Sequence, residues 1–340
     1  MIIEHNSLNK QITWLVIAIS IVIGILFLKA CDRKSTPQVY RIGILNGATI
    51  FSGIAEGFKA KMTELGYIEG ENIIYDMREV NGDAAAEQEV LRMFVTDEID
   101  LIFAYPTGSA MAAKGATQGA DIPVVFAMTF IEGTDIIENI RQPGGNITGV
   151  RQPGPEEIIK RFELLYELVP QTKRIFVTYD ENYPANQSAI KALRPVASSL
   201  GITLVESLVT SSEEIQADLQ MRSASDDIGL DAILIMPDPL SHSSTSWPLI
   251  SKFAKKHNLP IGGGASFTAE AGAVFSYVSN YVDIGKLAAI SADKILRGTP
   301  AGTIPVATPV QSFRFNYKQA QELGLTVPES LLSLATEIIR

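Results

Sequence analysis

Cysteine is almost absent: Cys31 is the only one in 340 residues. One cysteine makes no internal disulfide, so the stability of the fold comes from packing. Histidine is nearly as scarce, with only His5, His242 and His257. No spacing of histidine, cysteine and carboxylate suits a metal ion, so neither metal nor cofactor is expected. His242 falls in a polar Ser-His-Ser-Ser-Thr-Ser stretch that reads as a solvated or rim-forming loop, and His257 reads as the positive end of a helix. No catalytic residue is assigned, because no nucleophile and base stand together, and Gly43, Gly47 and Gly53 do not form a dinucleotide fingerprint. Charge is sparse too, at 19% of residues, with a net value of −10 and no basic stripe. That argues against nucleic acid as a partner, since binding phosphates needs clustered Lys and Arg. No low-complexity run is present, so disorder is expected only at 32–38.

What the chain does have begins with an apolar run, Ile12–Leu28, of seventeen residues. As a helix it spans roughly 26 Å, a little under the roughly 30 Å hydrocarbon core, which suits an export signal better than a permanent span. Lys10 gives a thin positive start, offset by Glu4, and Leu28-Lys29-Ala30-Cys31 has the order of a bacterial lipoprotein cleavage site apart from Lys29. Resemblance to bacterial lipoproteins implies acyl chains on Cys31, enough for stable anchoring. An uncleaved anchor is the alternative, and it holds the protein on the same side. Residues 1–31 are thus a leader or anchor and 32–38 a tether, and the remainder of about 310 residues suits two domains.

From Tyr40 onward, short β-branched runs alternate with amphipathic helices, the pattern of an α/β chain with parallel sheets covered on both faces. Strand Tyr40–Leu45, a helix from Ser52 stopped at Gly66, strand Asn72–Glu79, helix Ala84–Thr96, strand Asp100–Ala104, a helix near Ala110–Gln118 and strand Ile122–Ala127 make one doubly wound, Rossmann-like lobe. After a helix Glu156–Leu168, the pattern restarts. Strand Arg174–Thr178, helix Ala185–Leu200 with Pro195 as a kink, strand Thr203–Val209, strand Ala232–Met236, helix Trp247–His257 and strand Leu259–Gly262 make a second lobe. Strand Ala273–Val278, helix Asp283–Leu296 and segment Thr303–Val310 follow after the second sheet is built, so parts of them can return to the first lobe. Lobe I is expected over 39–149 plus about 279–303, and lobe II over 150–278 plus about 304–340. Several crossovers between lobes make a hinge.

The chain carries Gly57-Phe58 before Leu65-Gly66-Tyr67, then Glu69-Gly70-Glu71-Asn72, Ile122-Pro123-Val124-Val125-Phe126-Ala127, Pro143-Gly144-Gly145-Asn146-Ile147-Thr148-Gly149, Leu168-Val169-Pro170 and Leu323-Gly324-Leu325-Thr326-Val327-Pro328. In order and spacing these resemble the ABC transporter substrate-binding proteins of the tryptophan/tyrosine-binding type, a branch of the type I periplasmic binding proteins, over about Arg41 to Pro328. The resemblance implies two lobes closing on a small molecule, with ABC permease and ATPase subunits as partners. Members often have an Asp-Pro pair after the Phe-Ala strand end, where this chain reads Ala127-Met128-Thr129-Phe130-Ile131-Glu132, so a ligand does not transfer directly.

In open parallel sheets, ligands sit beyond the carboxyl ends of the strands. That rule alone nominates Asn46 and Ala48, Tyr105 to Ser109, Thr129 and Phe130, Tyr179 to Tyr183, Asp238, Ser266 and Phe267, and Asn280 and Tyr281. Only 8% of the chain is aromatic, yet these loops hold six rings, which suits a flat or apolar ligand body. Thr107-Gly108-Ser109 could hold a carboxylate at a helix start, or Ser109 could simply cap that helix. Asp238, between two prolines, could pair with a ligand ammonium or hold its own turn. Gly262-Gly263-Gly264 permits a turn beside the cleft. The sequence therefore points to an extracytoplasmic, membrane-anchored solute-binding protein of an ABC importer. Its best ligand is an aromatic or branched amino acid, and a ligand-sensing receptor domain is the alternative.

Overall fold

The computed structural model describes residues 38–340 together with Trp14. The apolar run, Cys31 and most of the tether therefore lie outside the described residues, apart from Trp14. Among the described residues no helix is long and apolar enough to cross a membrane.

Residues from Tyr40 to Arg340 form one compact unit containing two sheets. In the first, β1 (Tyr40–Asn46), β2 (Ile73–Glu79), β3 (Leu101–Tyr105), β4 (Val124–Thr129) and β5 (Ile147–Arg151) are all parallel, in the order β2-β1-β3-β4-β5. Alternation along β1 sends Ile42 and Ile44 to a core with Phe58 and Phe103, and Leu45 to the opposite face with Phe94. Both faces are thus covered, which is why Ile42–Leu45 is apolar throughout. Helices α1 (Ser52–Glu64), α2 (Ala84–Thr96) and α3 (Thr107–Ala116) supply much of that cover. Asp83 starts α2 by accepting from the Ala85 and Ala86 amides.

The second sheet holds β6 (Arg174–Tyr179), β7 (Thr203–Leu208), β8 (Ala232–Leu234), β9 (Ile261–Gly263), β10 (Phe275–Ser279), β11 (Gln311–Asn316) and β12 (Glu337–Ile339) in the order β12-β11-β10-β9-β8-β6-β7. Its strands are parallel except for the β10–β11 pairing. Its helices are α4 (Gly154–Leu168), α5 (Pro184–Ser199), α6 (Ser212–Ser223) and α7 (Ser246–Lys256). Pro195 lies inside α5, which continues past it to Ser199.

The chain crosses between the sheets three times. It leaves the first after β5 and enters α4. It returns after β10, when α8 (Tyr281–Leu296) packs on α1 through Ile284, Ala288 and Ala292. It stays there through Ile304, whose carbonyl accepts from the Thr148 hydroxyl at 2.7 Å, and Ala307, which bridges Val150. It then crosses to β11, followed by α9 (Tyr317–Glu322) and α10 (Glu329–Leu334).

Elements that differ from the sequence reading include three helices. Helix α3 begins at Thr107, which brings Thr107–Ser109 into its first turn. Helix α8 begins at Tyr281, because the Asn280 side chain accepts from the Val282 and Asp283 amides. Helix α6 has no counterpart in the sequence reading, since only Ile215 and Leu219 face inward among polar neighbours.

Candidate functional site

The strand ends of both sheets converge on one cavity. About 460 Å³ within it is unoccupied by atoms, part of this open to solvent. The first sheet contributes Ile50 and Phe51 after β1, Pro106 after β3, and Met128 and Phe130 at the end of β4. Met128 sits at a positive φ of 49°, where β4 shifts register against β5. The second sheet contributes Tyr183 after β6, Pro237, Asp238, Pro239 and His242 after β8, and Gly264 and Ala265 after β9. Tyr281, after β10, and Gln152, Glu157 and Arg161, on and before α4, close it at the crossovers.

Aromatic rings form two pairs on the walls. Phe51 and Tyr281 meet edge to face at 5.5 Å, and Phe130 meets Tyr183 across the lobes at 6.3 Å with an 89° interplanar angle. Burial pushes the Tyr183 phenol up to about 12, against the opposing effect of a hydrogen bond with Thr107. Three rings of the first lobe, Phe51, Phe130 and Tyr281, and Tyr183 of the second therefore bound a slot suited to a flat apolar body.

The floor is ionic. Glu157 and Arg161 lie one turn apart on α4, both side chains essentially inaccessible, and form a salt bridge, while the Gln152 amide donates to Glu157. Arg161 also donates to the carbonyls of Tyr277 at 2.8 Å, Ile235 at 3.2 Å and Gly264 at 3.1 Å. One guanidinium thus ties α4 to the ends of three strands. Burial lowers its pKa, but a guanidinium with this many acceptors stays charged. It is committed to the protein.

Asp238 is 3% exposed and its carboxylate accepts from Asn186 Nδ2 and from the Ser241 amide, each at 2.9 Å. Burial raises it to about 6, and those hydrogen bonds oppose the rise. His242 is buried as well, at 9% exposed, rather than solvated as its polar sequence context suggests. Burial lowers its pKa to about 4, with the Arg161 charge acting the same way.

Of the residues nominated from the sequence, Pro106, Phe130, Tyr183, Asp238 and Tyr281 line this cavity. The structure commits the others elsewhere. Asn46 bonds to Glu79 and to the Ala48 amide, so both residues shape the turn after β1. Tyr105 is fully buried beside Phe103, at 5.0 Å. Thr107 accepts from the Phe130 amide at 3.1 Å and so supports a wall residue. Gly108 is exposed, and the Ser109 hydroxyl donates to Glu87. The Thr129 hydroxyl donates to Ala127 O, and the Tyr179 phenol to Glu206. Ser266 offers its carbonyl to Arg314, Phe267 packs on Trp247, and Asn280 caps α8.

Glu157, Arg161 and His242 were not nominated. A Glu and an Arg at i and i+4, interleaved with Ile158 and Phe162 on an apolar helix face, were the available signal for the first two. His242 had no comparable signal, because its neighbours are all polar. Among the described residues, no group of three or more His, Cys, Asp or Glu could hold a metal ion.

Comparison with known proteins agrees with this architecture. The family model described as ABC transporter substrate binding protein matches residues 44–339. A tyrosine-binding protein of Clostridioides difficile (strain R20291) is 30% identical over 255 residues, covering 74% of this chain and 71% of the relative. An ABC domain in complex with L-Trp from Streptococcus pneumonia superposes with a TM-score of 0.78 at 26% identity, over 89% of this chain and 100% of that one. The ligand-free, open structure of a substrate binding protein with adhesive properties from Clostridium difficile gives 0.67 at 27% identity, over 88% and 99%. With two doubly wound lobes in the type I periplasmic-binding-protein fold, the chain belongs to the ABC transporter substrate binding protein family.

Proposed function

We propose that this protein captures an aromatic amino acid in the interlobe cavity outside the cytoplasm and delivers it, by hinge closure, to the permease and ATPase of an ABC importer. The observation that carries this reading is the cavity itself, in which rings from both lobes face each other beside the buried carboxylate of Asp238. The rings take the flat side chain. Asp238 takes the ammonium, which returns to the carboxylate the solvation that burial removed. The name of the curated relative and the ligand of the L-Trp complex support the same class. Closure is supported by the cross-lobe Phe130–Tyr183 contact and by the higher TM-score to the L-Trp complex than to the open structure, at nearly equal identity. The match to a substrate-binding family supports a role in binding without catalysis.

A thermal-shift screen against the amino acids tests the reading. Tyrosine and tryptophan raise the melting temperature in a concentration-dependent way that follows RT ln(1 + [L]/Kd). A screen in which no aromatic amino acid moves the transition rejects it.

A further inference from the structure

The imidazole of His242 is held in one tautomer by the backbone. Its Nδ1 lies 2.6 Å from the carbonyl oxygen of Asp238. A carbonyl oxygen only accepts, so the proton of a neutral ring sits on Nδ1 and Nε2 is left as a bare lone pair. That Nε2 is buried and has no hydrogen-bond partner, and the residue lines the cavity. Gly264 keeps the space beside it open, since a Cβ there would stand 2.8 Å from both His242 Nε2 and Arg161 Nη1. Burial and the Arg161 charge disfavour protonation, so the ring stays an acceptor at neutral pH. A buried acceptor without a donor is costly, and the cost is removed when something supplies that donor.

We infer that His242 Nε2 accepts a hydrogen bond from the bound ligand and makes the cavity select molecules that carry an N–H or O–H donor at that point. This rests on the proposed reading only in placing the ligand in this cavity. Two parts of an aromatic amino acid offer the donor, a polar group on the ring or the ammonium, and the chemistry asked of His242 is the same for both. Discrimination follows because an analogue lacking the donor leaves Nε2 unpaired in a desolvated site.

The test is a matrix of dissociation constants for wild type, His242→Leu and His242→Gln. The probes are L-tyrosine, L-phenylalanine, 3-(4-hydroxyphenyl)propionate, tyramine and phenethylamine. Tyrosine against phenylalanine reads a ring donor, and tyrosine against the propionate reads the ammonium. In wild type one of these ratios is roughly 10-fold or more. In His242→Leu the ratio that reads the donor falls by roughly 10-fold, toward one for a ring donor and toward the contribution of Asp238 alone for the ammonium, and in His242→Gln, which keeps an acceptor, part of the loss returns. Ratios unchanged in His242→Leu overturn the inference. Binding of the amines without the amino acids rejects the amino-acid reading alone, and the tyramine to phenethylamine ratio then judges His242 for the ring donor. Nitrogen NMR of histidine-labelled wild type gives an answer independent of any ligand: His242 protonated at Nδ1 and bare at Nε2 is expected, and a proton on Nε2 overturns the inference.

Discussion

Asp238 stands between two costs. Burial holds its carboxyl at about 6 against an ordinary 3.8. Between those values the folded chain keeps a proton that the unfolded chain has lost, so this residue lowers stability as pH rises from about 4 to 6, and the cost is complete above 6. An ammonium seated against the carboxylate reverses the preference and favours the ionised form. Affinity for an amine-bearing ligand therefore rises with pH to about 6 and levels off, giving binding about tenfold tighter at pH 7.5 than at pH 5. Fluorescence titrations at the two pH values measure this, and equal affinities would remove Asp238 from contact with the ammonium. The ion pair beside it behaves differently: Arg161 faces Glu157 and three carbonyls, so it organises the floor and leaves the negative charge of Asp238 uncompensated for the ligand to meet.

At the scale of elements, the helix pair α1 and α8 shows what return to the first lobe requires. A Cβ on Gly57 would fall 1.9 Å from the carbonyl oxygen of Val282, and one on Gly285 would fall 2.0 Å from that of Ile54. Glycine on each helix lets the backbones touch. Gly57→Ala forces them apart and is expected to lower stability by about 1 to 3 kcal/mol in urea denaturation, whereas Gly108→Ala, where nothing stands within 4 Å, leaves it nearly unchanged. The strands were legible in the sequence because burial on both faces leaves β-branched runs such as Tyr40–Leu45. Helix α6 was not, because a helix that buries two side chains has almost no periodicity to read. The strand-end rule found the loops of the site but not which side chains turn inward. Tyr105 and Tyr179 occupy the last positions of β3 and β6, and two-residue alternation carries them into the cores with Phe103 and Val177. Glu157 and Arg161 escaped the rule because they lie on a helix, where charged residues read as a solvated face.

On the scale of the whole molecule, the crossovers decide what closure can do. Arg151, at the end of β5, bonds to Glu132 of the first lobe at 2.7 Å, to Glu156 of α4 at 3.1 Å and to Thr308 of the third crossover at 2.9 Å. One side chain thus ties both lobes at the crossovers, and the closure proposed above would turn about that point. We propose that the lobes are held beside the membrane through Cys31, whose residue type and position carry that reading. Labelled palmitate is expected to enter the wild-type protein and not Cys31→Ala, and equal labelling of the two would contradict an acylated Cys31.

Calorimetric titration of L-tyrosine and L-tryptophan into wild type and Asp238→Asn asks most directly whether this cavity is an aromatic amino-acid site. One-site, saturable binding to wild type is expected, weakened by about 2 to 5 kcal/mol when the buried carboxylate is lost. Absence of binding to wild type, or binding that Asp238→Asn leaves intact, would contradict it.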